Sequence, residues 1–378
     1  MDAGTTELVT LAVLSRHLYS FPYPCRTDAD PRFSDKTRPF APPMVGSAGV
    51  SVASIGTGPP AFLVPGMSGW QAPHRKKGVK VAESTSDPAI RGLTAEQVES
   101  FKENGFLGPF DLYAEDEAPL VWSQAMIDMV TSANKPHNST TINCDRHLDC
   151  DTLSRHIAQP AIVHKLRSLM DDDIMCWKTH IFEKEPGGSG TGWHQVEAFT
   201  VYNESETVSY PSLRYTEEST AATQELFVWT AFSSTDKAHG CLRFLPGSHK
   251  QSYNVENKSH NGYDYSELKL DKDWDPNSHE IVDMELKPGQ FVIFLAKCVH
   301  GSNPNISADK RLGLASRYIS PSVRVYEHIN RLSGSGDAID LDYHGCVMVS
   351  GEDKYGHNRM HRENLNGFPF PKLESDGH

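Results

Sequence analysis

The 378-residue chain has no apolar run approaching the ~20 residues that a membrane-spanning helix needs. It also lacks an excess of basic residues. Asp and Glu number 49 against 36 Lys and Arg, a formal net charge of −13, which argues against nucleic acid or an anionic membrane surface as partner. The opening residues carry no basic stretch followed by a long apolar one, so no secretory signal is expected. Cysteine is scarce. Seven scattered residues, an odd number, suit reduced thiols in the cytoplasm better than a disulfide framework. No segment repeats.

What is present suggests one large domain with appendages. Residues 1–90 read as a mostly irregular extension, with a short helix around Leu8–Leu18 and many prolines and glycines after residue 20. Thr94-Ala95-Glu96-Gln97 is a capping box, predicting a helix to about Glu103 that Gly105 ends. Further helices are expected over Pro119–Thr131 and Gln159–Leu169. From Ile174 the pattern changes to short β-rich runs: Met175–Glu183, Trp193–Tyr202, Leu226–Ser233, Arg243–Leu245, His279–Met284, Gln290–Leu295 and Leu312–Ser320. Seven such strands suit a mainly β fold, a double-stranded β-helix or jelly roll, over residues 91–330. Residues 331–378 read as a tail or lid of the same domain.

Two histidines dominate the chemistry. His194 lies in Gly192-Trp193-His194-Gln195-Val196, and His300 in Cys298-Val299-His300-Gly301-Ser302. Arg311 follows eleven residues after His300. Distant histidines on β-type stretches suit a mononuclear non-haem iron site, which ordinarily adds a carboxylate two residues after the first histidine. Here that position is Val196, which cannot ligate. If Trp193–Tyr202 is a strand, Val196 shares the face of His194 and Glu197 faces away.

The chain resembles the phytanoyl-CoA hydroxylase superfamily of Fe(II)/2-oxoglutarate oxygenases. The resemblance rests on Leu93–Phe106, Trp193-His194-Gln195, Gly240–His249, Lys287-Pro288-Gly289-Gln290, His300 and Arg311. Gly345–Gly351 and His357-Asn358-Arg359 are similar to the tail of the amino-acid-chlorinating branch, which also lacks the carboxylate, having Ala or Gly there and chloride in the vacant place. Valine is bulkier than either and partly fills that space. A closer parallel is the aziridine-forming valine oxygenases of fungal peptide-alkaloid pathways.

The resemblance implies a cupin-like jelly roll, Fe(II) on His194 and His300, 2-oxoglutarate as co-substrate, and O2. Arg311 is expected to grip the distal carboxylate of 2-oxoglutarate in two-point fashion, helped by Ser302. Arg317, six residues further along a strand, is assigned to the keto-acid end, an anion near iron, or a substrate carboxylate, with a structural salt bridge as the alternative. Val196, Trp193, Phe227 and Trp229 are placed at the substrate pocket. Lys178 reads as an outward-facing lysine, with a co-substrate contact as the alternative, and His239, His249 and His357 as turn or tail residues.

The expected reaction is oxidation of a small, valine-like amino acid with closure to an aziridine, and hydroxylation as a side path. Its rivals are a halogenase and a non-catalytic jelly-roll binding protein. The expected partner is a small-molecule amino acid, and the candidate assembly is a homodimer.

Overall fold

The computed structural model describes residues 91–133, 135–137, 143–200, 212–216, 224–253, 255–256, 269–270, 280–327, 331–332 and 339–373. The helix expected around Leu8–Leu18, and the extension holding it, lie outside these. The fold is a mainly β jelly roll of antiparallel sheets.

Helix α1, Ala95–Asn104, begins as its sequence predicts. The Gln97 amide donates to Thr94 Oγ1 (3.3 Å), and the Thr94 amide donates to Gln97 Oε1 (2.9 Å). Such reciprocal capping satisfies two donors that a helix start otherwise leaves unpaired. Gly105 ends the helix in the left-handed region (φ 83°), and its amide returns to the Phe101 carbonyl. A side chain at position 105 would also collide with the His249 ring.

Ten strands form the two main sheets. They are β1 Phe106–Asp111, β2 Ile174–Lys184, β3 Thr191–His194, β4 Leu226–Ala231, β5 Leu242–Phe244, β6 Val282–Met284, β7 Gln290–Leu295, β8 His300–Ser302, β9 Arg311–Ile319 and β10 Val347–Ser350. The major sheet runs β1-β7-β4-β9-β2-β10 and the minor sheet β3-β8-β5-β6. The outer face of the major sheet is apolar: Ile181, Leu314 and Phe232 pack against Trp122, Ala125 and Met129 of helix α2, Ala118–Val130. Each such large side chain contributes about 1.5–3 kcal/mol by leaving water. The alternation that turns Leu312 and Leu314 outward turns Arg311, Gly313, Ala315 and Arg317 inward, toward the minor sheet.

Aromatic contacts join the sheets: Phe244 of β5 lies 4.6 Å from Phe106 of β1 and 5.1 Å from Phe294 of β7, and Phe294 lies 4.7 Å from His300 of β8, centroid to centroid. The C-terminal segment is fastened to this body. β10 pairs with the start of β2. Asn358 donates to the Val323 carbonyl (2.9 Å) and accepts from the Val325 amide (3.0 Å).

One strand differs from expectation. The chain leaves β3 at His194 and turns into a short helix, Glu197–Thr200. Residues 201 and 202 lie outside the described set. Gln195 drives this exit. Its amide donates to the Lys297 (2.7 Å) and Gln251 (2.9 Å) carbonyls, and its Oε1 accepts from the Tyr253 amide. Three tertiary bonds outweigh the β propensity of the aromatic and β-branched residues that follow.

No helix among the described residues is long and apolar enough to cross a membrane. The six cysteines among the described residues are buried and form no disulfide with one another.

Candidate metal centre

His194 ends β3 and His300 begins β8, and the two are direct partners across that antiparallel pair. Their rings lie 4.3 Å apart, centroid to centroid. Both are buried. The Nδ1 of each meets the carbonyl two residues earlier: His194 to Gly192 and His300 to Cys298, both at 2.9 Å. Each Nδ1 therefore carries the proton and donates it, which leaves Nε2 as the lone-pair nitrogen. Burial pushes the His194 imidazole down to about 4. Burial, and then the neighbouring His194, hold His300 well below its ordinary value. Both rings are neutral at pH 7, the form that binds metal.

The loop before His300 is also fastened. Ser248 Oγ donates to the Leu245 carbonyl (2.7 Å) and accepts from the Val299 amide (2.9 Å). Pro246-Gly247-Ser248-His249, which looks like a plain turn in the sequence, thus positions a ligand.

No third His, Cys, Asp or Glu among the described residues joins the pair. Glu197 opens the short helix, and its amide bonds to the Ala296 carbonyl. Val196 is 5% exposed and belongs to the core cluster that holds Phe227, Phe244 and Phe294. Its burial does not follow from strand alternation, because the strand has already ended. Two histidines with neutral imidazoles and no protein carboxylate fit an Fe(II) ion that leaves positions for other ligands.

Along the inner face of β9 lies a basic wall. Arg311 is buried, donates Nη1 to the Gly240 carbonyl (2.6 Å), and sits 5.4 Å from the Trp229 ring centroid. Its Nε has no hydrogen-bond partner among the described residues. Gly240 can offer that carbonyl because it is left-handed (φ 77°), and a Cβ there would meet the Asn303 carbonyl oxygen at 2.5 Å. Burial lowers Arg311 to about 10, so it stays charged at pH 7.

Lys184 stands directly opposite Arg311 in the β9–β2 register. Its ammonium donates to Ser302 Oγ (2.8 Å) and the Asn303 carbonyl (2.6 Å). Burial, with the adjacent Arg311 charge, pushes it down to about 7. Ser302 Oγ also accepts from the Thr191 amide (3.3 Å). With both acceptor positions taken, its own hydroxyl hydrogen remains to be donated. Two buried cations, an orphan guanidinium N–H and a hydroxyl donor make a site for a carboxylate.

Lys184 was not singled out in the sequence. Its place in Phe182-Glu183-Lys184-Glu185-Pro186-Gly187 resembles an ordinary strand end, and only the cross-strand register pairs it with Arg311. Two expectations need correction. Lys178 does not face outward: it is buried and paired with Arg317 on the inner face. Trp193 does not line the inner pocket. It alternates away from His194 and packs with Leu245 and Val299, Arg243 lying 5.0 Å over its ring. Phe227 and Trp229 do face inward, opposite Arg317 and Ala315. His239 and His249 bond Asp236 and the Lys102 carbonyl, away from the histidine pair.

A family model described as Phytanoyl-CoA dioxygenase (PhyH) matches residues 101–313. The chain is 25% identical over 243 residues to the dioxygenase lolE1 of Epichloe uncinata, covering 60% of this chain and 83% of that protein. It is 31% identical over 113 residues to the phytanoyl-CoA dioxygenase domain-containing protein 1 homolog of Dictyostelium discoideum, covering 29% of this chain and 40% of that protein. Among solved structures, that of CytC3 with Fe(II) and alpha-ketoglutarate superposes with a TM-score of 0.58 at 29% identity, covering 75% of this chain and 99% of that one.

Proposed function

The chain belongs to the phytanoyl-CoA dioxygenase family and is an Fe(II)/2-oxoglutarate-dependent dioxygenase, and from that premise we propose that it oxidises a small, valine-like amino acid and closes it to an aziridine. The observation that carries this reading is the lack of a carboxylate beside the histidine pair. Among the described residues no acidic side chain completes the set, and buried Val196 stands where the pattern calls for one.

His194 and His300 would hold the iron through Nε2. Arg311, Ser302 and Lys184 would hold the distal carboxylate of 2-oxoglutarate, the hydroxyl of Ser302 donating and the two cations supplying charge. When bound, iron and 2-oxoglutarate together turn O2 into an oxidant that removes hydrogen from an unactivated carbon. The chain's own part is orientation and exclusion of water. Phe227, Phe294 and Val196 surround the histidines with apolar surface, which protects a reactive centre from solvent.

Ring closure is a two-electron oxidation of the amino acid. The amino acid loses two hydrogens, one from carbon and one from nitrogen. 2-Oxoglutarate and O2 become succinate, CO2 and water. A carboxylate-free site favours this over hydroxyl return, and the valine isopropyl disfavours a bound halide. The experiment is anaerobic loading with Fe(II) and 2-oxoglutarate, oxygen exposure with a panel of amino acids, and mass analysis with and without chloride. Product lacking two hydrogens supports the reading. Chloride-dependent product instead establishes a halogenase.

A further inference from the structure

The second arginine of the wall, Arg317, has a neighbour that Arg311 does not. Glu225, just ahead of β4, is fully buried, and its Oε1 lies 3.8 Å from Arg317 Nη1. That is too long for a hydrogen bond. The carboxylate is held instead by Trp177 Nε1 on one oxygen (3.1 Å) and Thr200 Oγ1 on the other (3.2 Å). Each oxygen keeps capacity to accept again. Arg317 is 8% exposed, and its Nε has no hydrogen-bond partner among the described residues. Its guanidinium lies 4.6 Å from the Phe227 centroid, and that ring lies 6.5 Å from His300. A buried ion pair held apart, with donors unspent on one side and acceptors on the other, is costly unless a ligand completes it.

We propose that Arg317 and Glu225 form a zwitterion clamp that receives a free α-amino acid, carboxylate on Arg317 and ammonium on Glu225. The proposal deepens the amino-acid reading above and rests on it. Chemistry separates this clamp from the co-substrate site. Arg311 and Lys184 meet no carboxylate among the described residues, which suits a dianion. Glu225 would repel a second carboxylate beside Arg317 unless an ammonium came with it. Arg317 also lies six residues beyond Arg311, about 20 Å of strand at the Cα atoms. A clamp of this kind selects a free amino acid over one whose carboxyl is tied up as an amide or a carrier thioester.

The test is calorimetric binding to anaerobic protein loaded with Fe(II) and 2-oxoglutarate. The probes are the standard amino acids, then valinamide and isovalerate. Failure to take up iron or 2-oxoglutarate would count against the oxygenase reading, and is seen before any amino acid is added. If loading succeeds, the wild type should bind L-valine or another small amino acid at least about tenfold tighter than its amide or deaminated analogue, about 1.4 kcal/mol for each lost charge. Arg317→Gln should erase the preference for acid over amide and keep that for amine. Glu225→Gln should do the reverse, and Arg317→Lys should restore part of the first preference. A merely structural pair would weaken all three probes alike. That outcome overturns the clamp, as does a loaded protein that binds no free amino acid, or an Arg317→Gln variant that loses 2-oxoglutarate instead.

Discussion

Lys184 makes the affinity for 2-oxoglutarate a function of pH. Burial and the Arg311 charge push its ammonium down to about 7. A carboxylate arriving beside it restores the proton, so binding takes up a proton wherever the free amine is uncharged. The sign is fixed: the charged lysine helps the anion bind, and that help fades as pH rises through about 7. The charged fraction falls from about 0.9 at pH 6 to about 0.1 at pH 8, so the dissociation constant should rise roughly tenfold over that range. The histidines add nothing, since both are held neutral across it. Calorimetry of 2-oxoglutarate binding to anaerobic Fe(II) protein, in two buffers of different ionisation enthalpy, reads both slope and proton uptake. Lys184→Met should bind more weakly at pH 6 and show no slope. A flat wild-type profile, or an unchanged slope in the variant, refutes the reasoning.

His194→Ala or His300→Ala should abolish Fe(II) retention, read by metal analysis after anaerobic dialysis; near-stoichiometric iron in either variant refutes the pairing. Arg311→Ala should raise the 2-oxoglutarate requirement roughly 10- to 100-fold, from about 1.5–3 kcal/mol for a charge-assisted contact, with a far smaller effect on the amino acid. A Cβ at Gly313 would fall about 2 Å from the Trp229 indole. Gly313→Ala should therefore cost about 1–3 kcal/mol in a melting experiment by overpacking, and should weaken 2-oxoglutarate binding through the displaced indole beside Arg311. Val196→Ala should let chlorinated product form where the wild type gives none, by mass analysis in high chloride; efficient chlorination by the wild type contradicts the reading of valine as a plug.

The sequence carried the frame of this account where local signals are strong. The capping box at Thr94, the left-handed stop at Gly105 and the alternation along Leu312–Ser320 all depend on near neighbours. Failures occurred where distant partners decide. Gln195 bends the chain off β3 only because the Lys297, Gln251 and Tyr253 backbones converge on it. Lys178 turns inward because the β2–β9 register demands it. Lys184 and Glu225 gain meaning only from Ser302, Arg311 and Arg317 across the barrel, and no local pattern in the sequence marks either one.

The most direct test of the central claim is stoichiometry. Anaerobic wild-type protein should bind one Fe(II) and one 2-oxoglutarate, and on admission of O2 with its amino acid should form one succinate for each product lacking two hydrogens. Iron and 2-oxoglutarate binding without any oxygen-dependent succinate would contradict the account.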